Sequence, residues 1–219
     1  PSPSPPPPPS PSPSPPPPPP PNPSPPPPSQ PPSPPPPCAN ITLSKEWQFI
    51  SFNCIGGMDN TFQVLDMASW GKDDKILTRD PFLKFATFDG ERFVGGLVNH
   101  DQLSMSLGYK IYYSGAWGAV LEQSGLPQSP IETVTLRAGW NLIGHAPLHT
   151  FSIAEIVLTG GSGGFSPDDQ FKTRLASSIW ITTFSGASWQ GGLTELTPGI
   201  GYEVKVSKEI TFCYGACLN

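Results

Sequence analysis

From residue 41 onwards the apolar positions come in short runs of β-branched and aromatic residues, cut by Gly, Ser, Asn and Asp. Such runs suit a pleated, half-buried surface and read as strands separated by turns. The pattern predicts strands over 41–44 and 46–53, near 82–88, 109–113 and 117–122, over 133–137 and 139–145, and near 178–184, 202–206 and 209–214. Asn60-x-x-Gln63 and Ser152-x-x-Glu155 have the spacing of a capping box, which predicts one short helix after each Trp-centred strand.

The same pattern occurs twice. Ile41-Thr42-Leu43, Trp47 and Ile50 recur as Val134-Thr135-Leu136, Trp140 and Ile143, 93 residues later. Phe88-Asp89-Gly90, Phe93 and Gly95-Gly96-Leu97 recur as Phe184-Ser185-Gly186, Trp189 and Gly191-Gly192-Leu193 at an offset of 96. Leu103 and Leu107-Gly108-Tyr109 recur as Leu196 and Ile200-Gly201-Tyr202 at 93. Blocks repeated in one order over this span mark a duplicated unit, 38–128 and 129–219. The expected fold class is all-β: two tandem β-rich units with one short helix each, preceded by an extended rod. The repeated Gly pairs mark turns or close backbone approach.

Composition changes the picture only before Cys38. Residues 1–37 hold 27 of the 33 prolines, 8 Ser, one Asn and one Gln, and no charge. Contiguous prolines fix φ near −65° and bias their neighbours likewise, so this segment is read as a polyproline II rod of roughly 115 Å, at about 3.1 Å per residue. All 12 Lys and Arg and all 17 Asp and Glu lie after residue 37, giving a net charge of −5. That balance argues against a nucleic-acid partner, and no apolar run approaches the ~18 residues of a membrane span.

Two stretches of the chain resemble known families. Leu136-Arg137-Ala138-Gly139-Trp140-Asn141-Leu142-Ile143-Gly144, then Trp180 and Trp189, then Leu196-Thr197-Pro198-Gly199-Ile200-Gly201-Tyr202, resembles the GWNLI-type β-rich repeat of secreted and surface proteins. The first unit departs from it at Lys45-Glu46-Trp47-Gln48-Phe49-Ile50 and lacks the closing Pro. The tail resembles the modules of extensins and other hydroxyproline-rich glycoproteins, in which one Ser precedes four prolines. That likeness implies hydroxylation and O-glycosylation at Ser4 with Pro5, Pro6, Pro7 and Pro8; Ser14 with Pro15, Pro16, Pro17 and Pro18; Ser24 with Pro25, Pro26, Pro27 and Pro28; and Ser33 with Pro34, Pro35, Pro36 and Pro37. It also implies secretion to a cell wall, matrix or surface filament.

Four cysteines, Cys38, Cys54, Cys213 and Cys217, sit near the two ends of the charged part. An even count beside such a tail argues disulfides, with three connectivities open, and the spacings fit no common zinc site. A bridge from the N-terminal segment to the last strand is the expected arrangement. Asn40-Ile41-Thr42 is the one sequon with an allowed middle residue, so Asn40 is an expected N-glycosylation site.

Catalytic constellations are missing from the sequence. His145 and His149 flank Pro147, which bars the helix that would aim both at one metal. Asp73-Asp74 and Asp168-Asp169 read as solvated turns rather than a carboxylate pair for hydrolysis or calcium. No enzyme, metal or cofactor is therefore expected. Trp47 and Trp140 are expected in the core, whereas Tyr109, Tyr112, Tyr113, Trp117, Trp189 and Tyr202 are candidate docking aromatics. The expected role is a structural extracellular glycoprotein whose rod binds other copies of the chain. The alternative is a carbohydrate-binding module on a polyproline stalk, with wall polysaccharide as partner.

Overall fold

The computed structural model describes residues 1–4, 38, 40–55, 69–79, 81–100, 103–115, 118–123, 126–127, 133–159 and 163–214. The helix expected at Asn60 to Gln63, the tail beyond Ser4, Trp117 and Cys217 lie outside the described residues. Residues 36–219 form one compact unit.

The first half of that unit holds β1 (Ile41–Leu43), β2 (Glu46–Ser51), β3 (Cys54–Ile55), β4 (Lys75–Arg79), β5 (Leu83–Phe88) and β6 (Phe93–Val94). A short helix α1 (Gly96–His100) follows, then β7 (Gly108–Tyr113), β8 (Ala119–Leu121) and β9 (Leu126–Pro127). The second half holds β10 (Thr133–Leu136), β11 (Gly139–Gly144), β12 (Phe151–Ser152), a 3-10 turn (Ile153–Glu155) and β13 (Val157–Leu158). It continues with β14 (Gln170–Leu175), β15 (Ser178–Phe184), β16 (Trp189–Gly191), β17 (Glu195–Leu196), β18 (Gly201–Val206) and β19 (Ile210–Cys213). The protein is all-β in character, and the strand pairs are antiparallel.

Two five-stranded sheets dominate, in the orders β2-β7-β4-β5-β6 and β11-β18-β14-β15-β16. Corresponding strands occupy corresponding places. In each sheet the inward alternate positions carry the apolar set: Ile76, Tyr109, Ile111 and Tyr113 in one, Phe171, Tyr202, Val204 and Val206 in the other. Burying each such side chain contributes about 1.5–3 kcal/mol, which makes the two cores the main stabilising mass.

Local geometry repeats as well. The turn into β2 needs a left-handed residue at Glu46 (φ 71°), and the turn into β11 uses Gly139 (φ 97°) at the matching position. The Gln48 side-chain oxygen accepts from the Ser44 amide at 3.0 Å, and Asn141 Oδ1 accepts from the Arg137 amide at 3.0 Å. Both bonds tie a first strand to the next.

Sequence reading missed β4 and β14, the central strands of their sheets. In Lys75-Ile76-Leu77-Thr78-Arg79 and Gln170-Phe171-Lys172-Thr173-Arg174, the inward residues include a Thr and the outward ones are mostly charged, which diluted the apolar signal. Thr78 and Thr173 are both buried and donate to the carbonyls of Gly108 and Gly201 at 2.7 and 2.8 Å. The capping spacing at Ser152 produces a single 3-10 turn, with the hydroxyl accepting from the Ala154 amide rather than from Glu155. Gly96, read as part of a turn, opens α1 instead.

The halves meet across an approximate two-fold relation. The bridge Ile50↔Ile200 has its counterpart in Leu107↔Ile143. The Ser51 amide donates to the Gly199 carbonyl at 3.1 Å, and the Gly144 amide to the Ser106 carbonyl at 2.9 Å. Gly108 and Gly201 allow this approach, because a Cβ would stand 2.4 Å from the Ile143 carbonyl oxygen or 2.3 Å from that of Ile50.

Candidate functional site

Strand alternation turns the second face of each sheet away from that sheet's own core, and there the rows of neighbours are set by register. Phe85, Leu77, Lys110 and Phe49 form one row across the first sheet. Ile181, Lys172, Glu203 and Leu142 form the matching row across the second. The rows meet where Lys110 Nζ reaches Glu203 Oε1 at 2.7 Å and Lys172 Nζ reaches Glu203 Oε2 at 2.6 Å. Above this triad lies an open groove of about 490 Å³ with walls from both halves. Arg79 and Leu83 line it from one side, Arg174 and Ile179 from the other. These two pairs are register partners within their own sheets, Arg79 opposite Leu83 and Arg174 opposite Ile179.

The electrostatics follow from partial burial. Desolvation pushes the Glu203 carboxyl upward, but hydrogen bonds and charge from Lys110 and Lys172 outweigh it and hold the group below its ordinary value. Lys110 lies over the Phe49 ring at 4.8 Å and Lys172 over the Trp140 ring at 4.7 Å. Arg79 donates to the Trp140 carbonyl at 3.5 Å, and Arg174 approaches Glu46 at 3.6 Å across the halves. The ten strands of the two sheets carry seven Lys and Arg (Lys75, Arg79, Lys84, Lys110, Lys172, Arg174, Lys205) against Glu46 and Glu203. They are therefore net positive in a chain of net charge −5.

The candidate docking aromatics divide differently from expectation. Tyr109, Tyr113 and Tyr202 are core residues, 1 %, 0 % and 1 % exposed, because alternation with Lys110, Tyr112 and Glu203 turns them inward. Their hydroxyls are used internally. The Ser104 amide donates to Tyr109 Oη at 2.7 Å, and the Thr197 amide to Tyr202 Oη at 2.6 Å. Burial pushes the Tyr202 phenol up to about 12. Trp189 is half-buried against Phe165, Phe171 and Phe184. Tyr112 alone of the described candidates faces outward, half-buried with its ring 5.5 Å from Trp47. Trp47 and Trp140, expected in the core, are half-buried on the outer faces instead. The Trp inward of that expectation is Trp70, edge-on to Phe93 and Tyr113.

Cys38 is bonded to Cys54, so the expected bridge from the N-terminal segment to the last strand is replaced by a local loop. Buried Cys54 lies in β3, within reach of Cys38 at a Cα separation of 5.7 Å. Cys213 is also disulfide-bonded. Asn40 is exposed at the start of β1, and Ser4 is exposed.

The paired acids are not plain solvated turns. Asp73 and Asp168 take φ of 73° and 69°, while Asp74 and Asp169 are buried beside them. Asp74 accepts from the Gly71 and Ser114 amides at 2.8 Å each, and Asp169 from Ser166 and Ser207 at 2.8 Å each. They bind backbone donors and leave no free carboxylate pair. His145 is buried, its Nε2 2.7 Å from the His149 carbonyl oxygen and its ring edge-on to Tyr214. Among the described residues no three His, Cys, Asp or Glu come together as a metal site. Nor is any described helix long and apolar enough to cross a membrane.

The chain matches no protein-family model, no curated protein and no solved structure.

Proposed function

We propose that the chain is a structural subunit of an extracellular wall, matrix or surface filament. In this reading a glycosylated polyproline II rod is carried on a disulfide-closed β head. The observation that carries it is the Ser-plus-proline tail ending directly at Cys38, whose disulfide to buried Cys54 closes the first loop of the head. A disulfide suits an oxidising, extracellular setting. The rod mediates assembly with other copies, and covalent glycans cover its prolines, its serines and Asn40. Mass spectrometry of native material tests the glycoprotein assignment: the expected result is hydroxyproline with pentose and hexose additions in 1–37, and bare prolines and serines there overturn it. Removing 1–37 is expected to abolish self-association while leaving the circular dichroism of the head unchanged.

A second reading, the carbohydrate-binding module, is favoured by one observation. Trp47 and Tyr112 form a half-exposed aromatic pair on an outer sheet face rich in basic side chains.

A further inference from the structure

We infer that the groove between the two outer sheet faces binds an acidic polysaccharide, one whose sugar units carry carboxylates. The inference rests on the matrix reading and names the partner of the head.

Charge segregation is the first argument. Seven of the 12 Lys and Arg lie in the ten strands of the two sheets, and only two of the 17 Asp and Glu do. Every one of those bases except Lys84 occupies an outward position, so a positive surface stands on a chain whose remaining residues are strongly acidic. Charge complementarity therefore favours this face over the rest of the chain as the place where a polyanion binds.

The second argument is the chemistry repeated across the groove. Arg79 with Leu83 and Arg174 with Ile179 are equivalent pairs, 95 and 96 residues apart, and face one space from opposite sides. A guanidinium offers a planar fork of donors to a carboxylate, and the aliphatic neighbour offers a dry surface to the C–H face of a sugar ring. Glu203 occupies the floor with Lys110 and Lys172, which keeps a ligand carboxylate from the centre and leaves Arg79 and Arg174 as the anion sites. A polymer repeating one anionic unit matches a site that repeats one cationic motif.

The third argument is exposure. Among the described residues, Leu83 and Phe85 on β5 and Ile179 and Ile181 on β15 are exposed large hydrophobics on the groove side of these equivalent strands. Contiguous apolar surface of this kind marks a binding face.

The test titrates the full chain with polygalacturonate oligomers by calorimetry, beside neutral dextran, single-stranded DNA of equal charge, and a synthetic peptide of residues 1–37. Polygalacturonate is expected to bind, more weakly as salt rises, and dextran and DNA are not. The double variant Arg79→Ala/Arg174→Ala is expected to bind about tenfold more weakly, as the loss of two charge contacts implies. Trp47→Ala weakens binding as well, and Lys208→Ala, off the sheet faces, does not. Thermal melts confirm that each variant is folded; if the double variant melts early, the milder Arg79→Gln replaces it. Equal binding of dextran or DNA, full affinity in the folded arginine variants, or tight capture of the 1–37 peptide in place of polygalacturonate overturns the inference. None of these outcomes bears on whether the tail is glycosylated, which mass spectrometry decides separately.

Discussion

Lys110 and Glu203 occupy the same position in the two halves, 93 residues apart, and bind each other at 2.7 Å across the relation that joins them. A symmetric pairing of identical residues at this place would set like charges together. The duplicated halves differ here in sign, and the difference makes the junction attractive. Lys110→Glu is expected to destabilise the fold by about 1–3 kcal/mol, the range for groups sharing one charged network. Adding Glu203→Lys restores part of that loss, the remainder being repulsion between the new lysine and Lys172. Urea unfolding of the single and double variants measures the coupling, and additive losses would show that the contact contributes nothing.

Gly108 and Gly201 test the same junction sterically. An alanine at either place puts its Cβ within 2.4 Å of a carbonyl oxygen in the other half. Neither carbonyl belongs to a mobile side chain, so the strands themselves must shift. Each substitution is expected to cost about 1–3 kcal/mol. Gly96→Ala, with nothing within 4 Å of the new methyl, is expected to be neutral or slightly stabilising in α1. Equal melting temperatures for all three variants would remove the close approach as a stabilising feature.

These positions show what was legible in the sequence. The Trp-centred strands β2 and β11 and the closing strands β7 and β18 stood out because apolar residues crowd them. The central strands did not, since β4 and β14 place charges outward and a threonine inward. The inward turn of Tyr109 and Tyr202 was hidden for a related reason: without β4 and β14 beside them, nothing showed which face of the strand was covered. The groove has no local signature at all, because Arg79 meets Arg174 only through tertiary packing. One trace was present in the alignment of the halves, namely Lys110 matched to Glu203.

His145 supplies a pH dependence. Burial lowers its pKa from 6.5 to about 4, partly opposed by the hydrogen bond to the His149 carbonyl. The folded state therefore holds a neutral imidazole that the unfolded chain protonates near pH 6.5. Stability from this group is complete above that value and declines as pH falls toward 4, by roughly 3 kcal/mol for a shift of this size. Glu203, with its carboxyl held low, loses its own contribution in more acid solution. Comparing wild type with His145→Gln isolates the histidine: the wild type is expected to lose more stability between pH 6.5 and 4 than the variant. Parallel curves would refute the assignment.

Glu46 and Gly139 begin the equivalent strands β2 and β11, and both adopt positive φ, 71° and 97°. Glycine takes that conformation without steric cost, whereas a residue with a Cβ is strained by about 1–2 kcal/mol. The glutamate also reaches Arg174 at 3.6 Å, but its side chain is 67 % exposed, and an exposed pair contributes little. Relief of strain is therefore the larger effect. Glu46→Gly is expected to raise stability by roughly 0.5–1 kcal/mol once the flexibility gained by the unfolded chain is set against the strain removed. The converse change, Gly139→Glu, is expected to lower it. Thermal unfolding at two salt concentrations checks both: the gain in Glu46→Gly should persist in high salt, where the ion pair is screened. A loss of stability in Glu46→Gly that disappears with salt would mean that the contact with Arg174 outweighs the strain.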